Sequence, residues 1–145
     1  MKKILVPVDF SEWSIRAVEW AADIAHKWGG ELILIHVVER LTYPGDLISP
    51  LAGKAFASDH QKALVHKIHD LAADSGVPSR AFVRLGRAWV EICKLARDER
   101  VDLIVMCKHG TPGMIQAFLG SVAEKVVRHA PCAVLAIKPR GKAPR

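Results

Sequence analysis

The sequence predicts a single α/β domain in which a five-stranded parallel sheet carries helices on both faces. Five apolar segments alternate along the chain with four segments of helical spacing, and strands joined in this way connect by right-handed crossovers. Half of the 145 residues are hydrophobic but only 6% are aromatic, which is typical of an aliphatic core between helices and a parallel sheet. This length suits one doubly wound domain and is too short for two.

The first part of the chain predicts a strand, a helix and a second strand. Residues 2–8 form an apolar strand, and Ser11 follows as a residue type that caps helices. Apolar residues then recur at helical spacing as far as Trp28, where the Gly29-Gly30 pair ends the helix. Residues 31–38 form the second strand. The helical spacing also predicts that three tryptophans are buried or form a partner surface: Trp13, Trp20 and Trp28.

The middle of the chain begins with its least regular stretch. Residues 41–58 contain two prolines and two glycines and predict a long connection. A second helix follows and stops at Gly76 and Pro78; its apolar face is marked by Leu64, Ile68, Leu71 and Ala72. Residues 79–85 predict the third strand, which Gly86 ends, and a third helix covers residues 89–98.

In the last third of the chain an apolar run, a polar glycine loop and a helix start follow one another. Residues 101–106 predict a buried parallel strand, its regular part at 102–106, and residues 108–113 contain the Gly and Pro of a turn. The fourth helix covers residues 120–129, and Ser121 is expected to cap its free amides. A helix start offers N–H donors and the positive end of the helix dipole, so this loop predicts a phosphate site.

The chain ends with a strand over residues 132–137 and a basic tail. The formal charge is +6, from 21 basic and 15 acidic residues, but four basic residues lie in the last eight positions. We therefore expect a folded domain over 1–138, a flexible tail over 139–145 and no face designed for nucleic acid. No segment has the roughly 20 apolar residues of a membrane span, which predicts a cytoplasmic protein. The three cysteines lack CxxC spacing, so we expect reduced thiols.

Several segments together resemble the universal stress protein (UspA-like) family. The resemblance is carried by Gly110, which nine residues separate from the Gly120-Ser121 pair, and by four flanking pieces: residues 3–11, residues 34–37, Gly86 and residues 122–135. It implies the strand order 3-2-1-4-5. In that order the connections after strands one and four leave in opposite directions and open a ligand crevice at the carboxyl ends of these strands.

The same resemblance implies a site for ATP, or for AMP or ADP, with or without Mg²⁺. Apolar side chains and backbone groups would hold adenine, the carboxylate of Asp9 would contact the nucleoside, and main-chain amides would hold phosphate, with charge added by Lys108 or His109. The implied site residues are Pro7, Val8, Asp9, Val37, Met106, Cys107, Gly110, Gly120, Ser121 and Val122. ATP-binding members usually have glycine where this chain has Cys107, whose Cβ is tolerated at negative φ and costly at positive φ.

By this resemblance, the chain is expected to be a stress-response regulator that binds nucleotide with little or no turnover. The alternative is a dimeric interaction or chaperone-like stress protein that no longer binds nucleotide. Residues 133–137 form an apolar edge strand, and pairing with a second copy would cover it, so we expect a homodimer through this strand. No catalytic residue is assigned, and without Walker A or GxSxG patterns any enzymatic activity would be a slow ATPase at most.

Some residues have two interpretations. His66, His69 and Asp70 have a spacing that could hold a metal, although a solvated helix face explains them as well. His36 could act as a base but lies in an apolar strand, which favours simple packing. Taken singly, Asp9 could be a turn former and Ser121 a plain helix cap. Cys107 beside Lys108 and His109 could have a lowered thiol pKa and sense oxidants, or could be a small apolar residue at a strand end.

Overall fold

The computed structural model describes residues 2–39, 50–108 and 120–138; between residues 50 and 60 it describes the side chain of residue 59 alone. Strands and helices alternate in the order β1 Lys3–Pro7, α1 Glu12–Trp28, β2 Glu31–Val38, α2 Pro50–Ala73, β3 Ser79–Leu85, α3 Ala88–Asp98, β4 Leu103–Cys107, α4 Ser121–His129 and β5 Ala133–Ile137. Among these helices, none combines the length and hydropathy needed to cross a membrane.

The strands form one parallel sheet in the order β3-β2-β1-β4-β5, which confirms the predicted fold class and strand order. The strand β1 lies at the centre, where Leu5 is opposite Ile33 on one side and Ile104 on the other. The chain leaves β1 toward β2 and leaves β4 toward β5, so the winding reverses between β1 and β4. Their carboxyl ends therefore border the crevice in which sheets of this kind bind ligands.

Both faces of the sheet are covered, which explains the nearly continuous apolar character of the central strands. Ile4, Val6 and Leu34 point toward α1 and α2, whereas Leu5 and Ile33 point toward α3 and α4. These side chains are 0% exposed. Side chains alternate across a strand, so each strand contributes to two cores. The rigid sheet between these cores fixes the positions of the loops at its carboxyl edge.

The helix α2 begins earlier than the sequence predicted. It begins at Pro50, inside the stretch 41–58 that predicted a connection, and that prediction is wrong for residues 50–58. Proline is tolerated in the first turn of a helix, where its missing N–H has no helical partner, so Pro50 is compatible with a helix start. The earlier part of the stretch, residues 41–49, lies outside the described residues.

The helix α1 has the predicted ends but buries different residues. Ser11 caps it by accepting a bond from the N–H of Ser14, and Gly29 ends it in the left-handed conformation with a φ of 63°. Small residues face the sheet, including Ala17 and Ala21. Of the two alternatives for the tryptophans, burial is excluded for two of them, since Trp20 is 53% and Trp28 51% exposed, and a partner surface stays a prediction. Alanines let the helix approach the sheet closely, so the larger rings lie on its flank.

Candidate functional site

A cavity of about 200 Å³ lies at the carboxyl ends of β1 and β4, where the winding reverses. Nine of the ten predicted site residues line it: Pro7, Val8, Asp9, Val37, Met106, Cys107, Gly120, Ser121 and Val122. The tenth, Gly110, lies outside the described residues, as does His109. The structure thus brings together segments from both ends of the chain, while their contact with a ligand stays a prediction.

The main chain of Val8, beside the cavity, is held by two contacts to the neighbouring strand β2. Its N–H donates to the Ile35 carbonyl at 2.8 Å, and its carbonyl lies 2.7 Å from Nδ1 of His36. A carbonyl can only accept, so Nδ1 must carry the proton, and in the neutral ring Nε2 is left as an acceptor. The His36 ring also packs on Phe10, with 4.8 Å between ring centroids. These contacts favour the packed interpretation of His36.

The turn after β1 places the Asp9 carboxylate at the cavity. Oδ1 accepts a bond from the N–H of Ser11 at 2.9 Å, so Asp9 does form the turn that its residue type allows. Phe10, between them, has a positive φ of 64°, which reverses the chain into α1. No other bond to this carboxylate occurs within the described residues, which leaves its second oxygen for a ligand.

At the start of α4, Gly120 has the role that the sequence analysis gave to Ser121. Gly120 occupies the cap position and Ser121 is the first helical residue, so the prediction that Ser121 caps the helix is wrong. The N–H of Gly120 donates to the Lys108 carbonyl at 2.8 Å, so this amide is already bonded within the protein, and the predicted role of Gly120 in ligand binding stays a prediction. The first helical amides, those of Ser121 and Val122, receive no side-chain cap.

The thiol of Cys107 is directed at α1. Sγ donates to the main-chain carbonyl of Trp13 at 2.6 Å. Burial, and secondarily the nearby Asp9 carboxylate, raises the thiol pKa to about 11, which counts against the oxidant-sensing alternative and favours a small apolar residue at a strand end. Positive φ values among the described non-glycine residues are confined to Phe10 and Arg100, so Cys107 has an ordinary backbone conformation. Its side chain borders the cavity but leaves it open.

Three helices begin beside the cavity, and two of them are capped by side chains of the protein. The hydroxyl of Ser11 accepts from the Ser14 amide at 3.2 Å in α1. A carboxylate oxygen of Glu39, just beyond β2, accepts from the Ala88 amide at 3.0 Å in α3. Among the residues that the structure describes, no side chain caps the N-terminus of α4. Of the three helix starts, the one in the glycine loop is therefore the most available to an anion.

The sequence analysis missed cavity residues that lie on helices. Ser14 of α1 and Ala88 and Ile92 of α3 also line the cavity. The strand order could have identified these residues, because the first turn of a helix after a parallel strand lies at the carboxyl edge of the sheet. The predicted metal alternative gains no support: His66, His69 and Asp70 are exposed, and the described residues contain no cluster of three metal-binding side chains.

A doubly wound parallel sheet with a cavity at its reversal point defines an open α/β domain with a crevice at the carboxyl edge of the sheet, and comparison with known proteins assigns this domain to one family. The sequence profile of the universal stress protein family matches residues 1–138. The chain belongs to this family, which confirms the resemblance found in the sequence.

Relatives match the chain over nearly its whole length. Universal stress protein MJ0531 of Methanocaldococcus jannaschii is 35% identical over 94% of this chain and 82% of its own length. The structure of the universal stress protein UspA from Lactobacillus plantarum is 28% identical, covers 94% of this chain and 97% of its own, and has a TM-score of 0.75. A universal stress protein solved in complex with cAMP covers 94% and 96% with a TM-score of 0.69; at 24% identity it shows likeness of fold alone.

Proposed function

We propose that this chain binds an adenine nucleotide, ATP or else AMP or ADP, in the crossover cavity and acts as a stress-response regulator with little or no turnover. The observation that carries the proposal is the junction, in one cavity, of the turn after β1 with the uncapped start of α4. Membership of the universal stress protein family supports it, since the resemblance to that family implies an adenine nucleotide at these segments. The cytoplasmic location expected from the sequence stays a prediction.

The described part of the cavity suits the nucleoside portion of such a ligand. Its volume of about 200 Å³ is below the roughly 300–1,000 Å³ of sites that enclose drug-sized ligands. Val37 and Met106 offer apolar surface for a base, and the second oxygen of Asp9 can accept a bond from a hydroxyl group. The carbonyl of Val8 is already engaged, so its side chain is the part expected to contact the base.

The phosphates would extend from the nucleoside toward α4. The amides of Ser121 and Val122 lie at the positive end of this helix and have no side-chain cap, which makes them suitable donors for an anion. The carbonyl of Lys108 holds the N–H of Gly120 and thereby fixes the helix start against the end of β4. This anchored start would receive phosphate without moving.

Little turnover is expected because the cavity offers few groups for chemistry. Asp9 is the one carboxylate among the described cavity residues, and one of its oxygens is used in the turn. Mg²⁺ at phosphoryl-transfer sites is held by one or two carboxylates together with the substrate phosphates, so a Mg²⁺ bound here would rest on the second oxygen of Asp9 and mainly on the phosphates. The proposal therefore allows a slow ATPase at most.

Calorimetric titration with ATP, AMP and ADP tests the proposal. We expect saturable heat in the micromolar range and a loss of binding in Gly120→Val, because a Cβ at Gly120 already lies 3.3 Å from the Lys108 carbonyl and the branched side chain would displace the helix start. Asp9→Asn keeps the turn acceptor but removes the charge, and we expect it to weaken binding about tenfold. Asp98→Asn, exposed on α3, is the matched control. No heat at high nucleotide concentration would refute the proposal.

A homodimer through β5 is the second part of the proposal. β5 is an edge strand of five apolar residues, of which Ala133 is exposed and the others are half-buried. Such an edge exposes main-chain donors and acceptors that a second copy could pair. This observation also favours the alternative function, a dimeric interaction protein without nucleotide. A dimer that gives no heat with any of the three nucleotides would select the alternative.

A further inference from the structure

One flank of α1 carries a row of large side chains, two exposed and two half-buried, that do not line the cavity. We call Trp13, Trp20, Ile24 and Trp28 the aromatic stripe. At 3.6 residues per turn these residues fall within an arc of about 80° on the helix. Trp20 and Trp28 are 53% and 51% exposed, which makes them the most exposed large hydrophobic residues that the structure describes. A solvent-facing helix flank gains nothing from two such rings, so the stripe indicates a partner surface.

The aromatic stripe lies on the side of α1 that faces β5. The helix α1 packs on β1 and β4 and is tied to the end of β4 by the bond from Cys107 to the Trp13 carbonyl, while α2 packs on its other side over β2 and β3. Viewed from its N-terminus a right-handed helix advances clockwise, and the stripe precedes the buried alanines by about 80°. With right-handed crossovers, that direction points toward β5 and away from α2.

The face of β5 beneath this flank is incompletely covered. Leu135 and Ile137 point to the same side of the sheet as α1 and pack against its core, yet both are only half-buried. The main described neighbours of β5 are β4 and α4, and α4 lies on the opposite face of the sheet. An apolar groove thus runs along the sheet edge and is bordered by Leu135, Ile137 and the aromatic stripe.

We propose that the aromatic stripe packs on its symmetry mate in a second copy of this chain and covers the line along which the two β5 strands pair. We call this line the seam. The inference rests on the dimer part of the proposed function and is independent of nucleotide binding. Antiparallel pairing of β5 with its mate has a two-fold axis perpendicular to the sheet, so both α1 helices lie on the same face. Trp20 and Trp28 of each copy then point at the other copy across the seam.

The dimensions of the seam require side chains of this size. The axis of α1 lies over β1 and β4, and about four strand spacings of 4.8 Å, or roughly 19 Å, separate it from its mate. Two helices of about 10–12 Å diameter leave a gap of roughly 8 Å between them. Small side chains would leave that gap open over Leu135 and Ile137. Four half-exposed indoles offer about 400 Å² of surface, roughly a quarter of a standard interface.

The charges on α1 agree with a mate that runs in the opposite direction. Its first turn carries Glu12 and its last turn carries His26 and Lys27. In an antiparallel pair the end of α1 that carries the acidic residue lies toward the end of its mate that carries the basic ones, although Glu12 lies about 100° around the helix from Trp13 and does not face the mate directly. The two helix dipoles are antiparallel as well. The order of charges along α1 is therefore compatible with a second copy as the partner.

Sedimentation equilibrium of the full chain over three decades of concentration tests the inference. We expect the wild type to be a dimer and Trp20→Ala/Trp28→Ala to dimerise about 100-fold more weakly, because central tryptophans dominate interface energetics. Leu85→Ala is the control, since Leu85 is 43% exposed at the end of β3, on the opposite edge of the sheet. It should dimerise like the wild type.

Circular dichroism and nucleotide titration distinguish weaker dimerisation from loss of folding and from failure to bind nucleotide. Both tryptophans are exposed, so circular dichroism should show a folded double variant, and Trp20→Arg/Trp28→Arg provides a second variant with comparable helix propensity. An unchanged dissociation constant in both variants, or a wild type that stays monomeric at every concentration, would overturn the inference. Nucleotide titrations run in parallel should be unaffected by the tryptophan changes; failure of all nucleotides to bind would defeat the nucleotide proposal and leave this one standing.

Discussion

The thiol of Cys107 should react slowly with alkylating agents, by an amount that its surroundings determine. With a pKa of about 11, about one thiol in 1,000 is ionised at pH 8, against about one in four for a free cysteine with a pKa near 8.5. The ionised fraction is thus roughly 250-fold smaller. A more basic thiolate is intrinsically more nucleophilic, which returns about a factor of ten. Alkylation of Cys107 should therefore be about 20-fold slower than that of a free thiol, before any steric hindrance.

Iodoacetamide labelling followed by peptide mass analysis measures this rate, and the same chain unfolded in urea supplies the unhindered reference. Asp9→Asn should speed the reaction, because the Asp9 carboxylate contributes to the raised pKa, whereas the distant Asp98→Asn should not. Equal rates for Cys107 in the native and unfolded chain would refute the bond from Sγ to the Trp13 carbonyl, and with it the explanation of how the cavity stays open beside a side chain.

Urea unfolding at 25 °C checks three further predictions. Gly29→Ala should lower the free energy of unfolding by about 1 kcal/mol, because its φ of 63° is unfavourable for a residue with a Cβ. Gly30→Ala should lower it by about 2–3 kcal/mol, because the added Cβ would lie 2.8 Å from the Lys2 carbonyl. Equal losses in the two variants would contradict this difference. Ile104→Ala, at a site that is 0% exposed, should cost about 3–4 kcal/mol, and a cost below 1 would contradict its packing. Asp102→Asn should lower the free energy of unfolding at neutral pH and do so progressively less below about pH 4. Two main-chain N–H bonds lower the pKa of Asp102, and the stability that the ionised carboxylate contributes is lost when it is protonated. A difference between variant and wild type that does not change with pH would count against this.

The sheet could be predicted from the sequence because its signal is strong and local. Runs such as residues 32–35 are apolar without interruption, and burial on both faces explains them. The start of α2 was missed because Pro50 and Gly53 were interpreted as loop residues, although a first-turn proline is compatible with a helix. Local composition cannot distinguish these two contexts.

The site could be predicted as a set of residues but not as a set of bonds. The resemblance to a family identified nine residues that meet at one cavity. It could not show that the Gly120 amide is bonded to the Lys108 carbonyl, or that the thiol of Cys107 is directed at α1, since both contacts join segments distant in sequence or orientation. The exposure of Trp20 and Trp28 was equally invisible, because helical spacing states which residues share a face but not which face is covered.

The Glu39 carboxylate at the start of α3 makes the two ends of the cavity different, because it occupies one helix N-terminus while, among the described residues, no side chain occupies that of α4. Of the three helices that begin beside this space, α1 is capped by Ser11 and α3 by Glu39, so the start of α4 is the remaining one that could attract the acidic end of an elongated ligand. On the proposed function, such a ligand binds with its negative end toward α4 and its neutral end toward β2. Loss of the Glu39 side chain would make both directions comparable, and the same molecule could then be held in reverse.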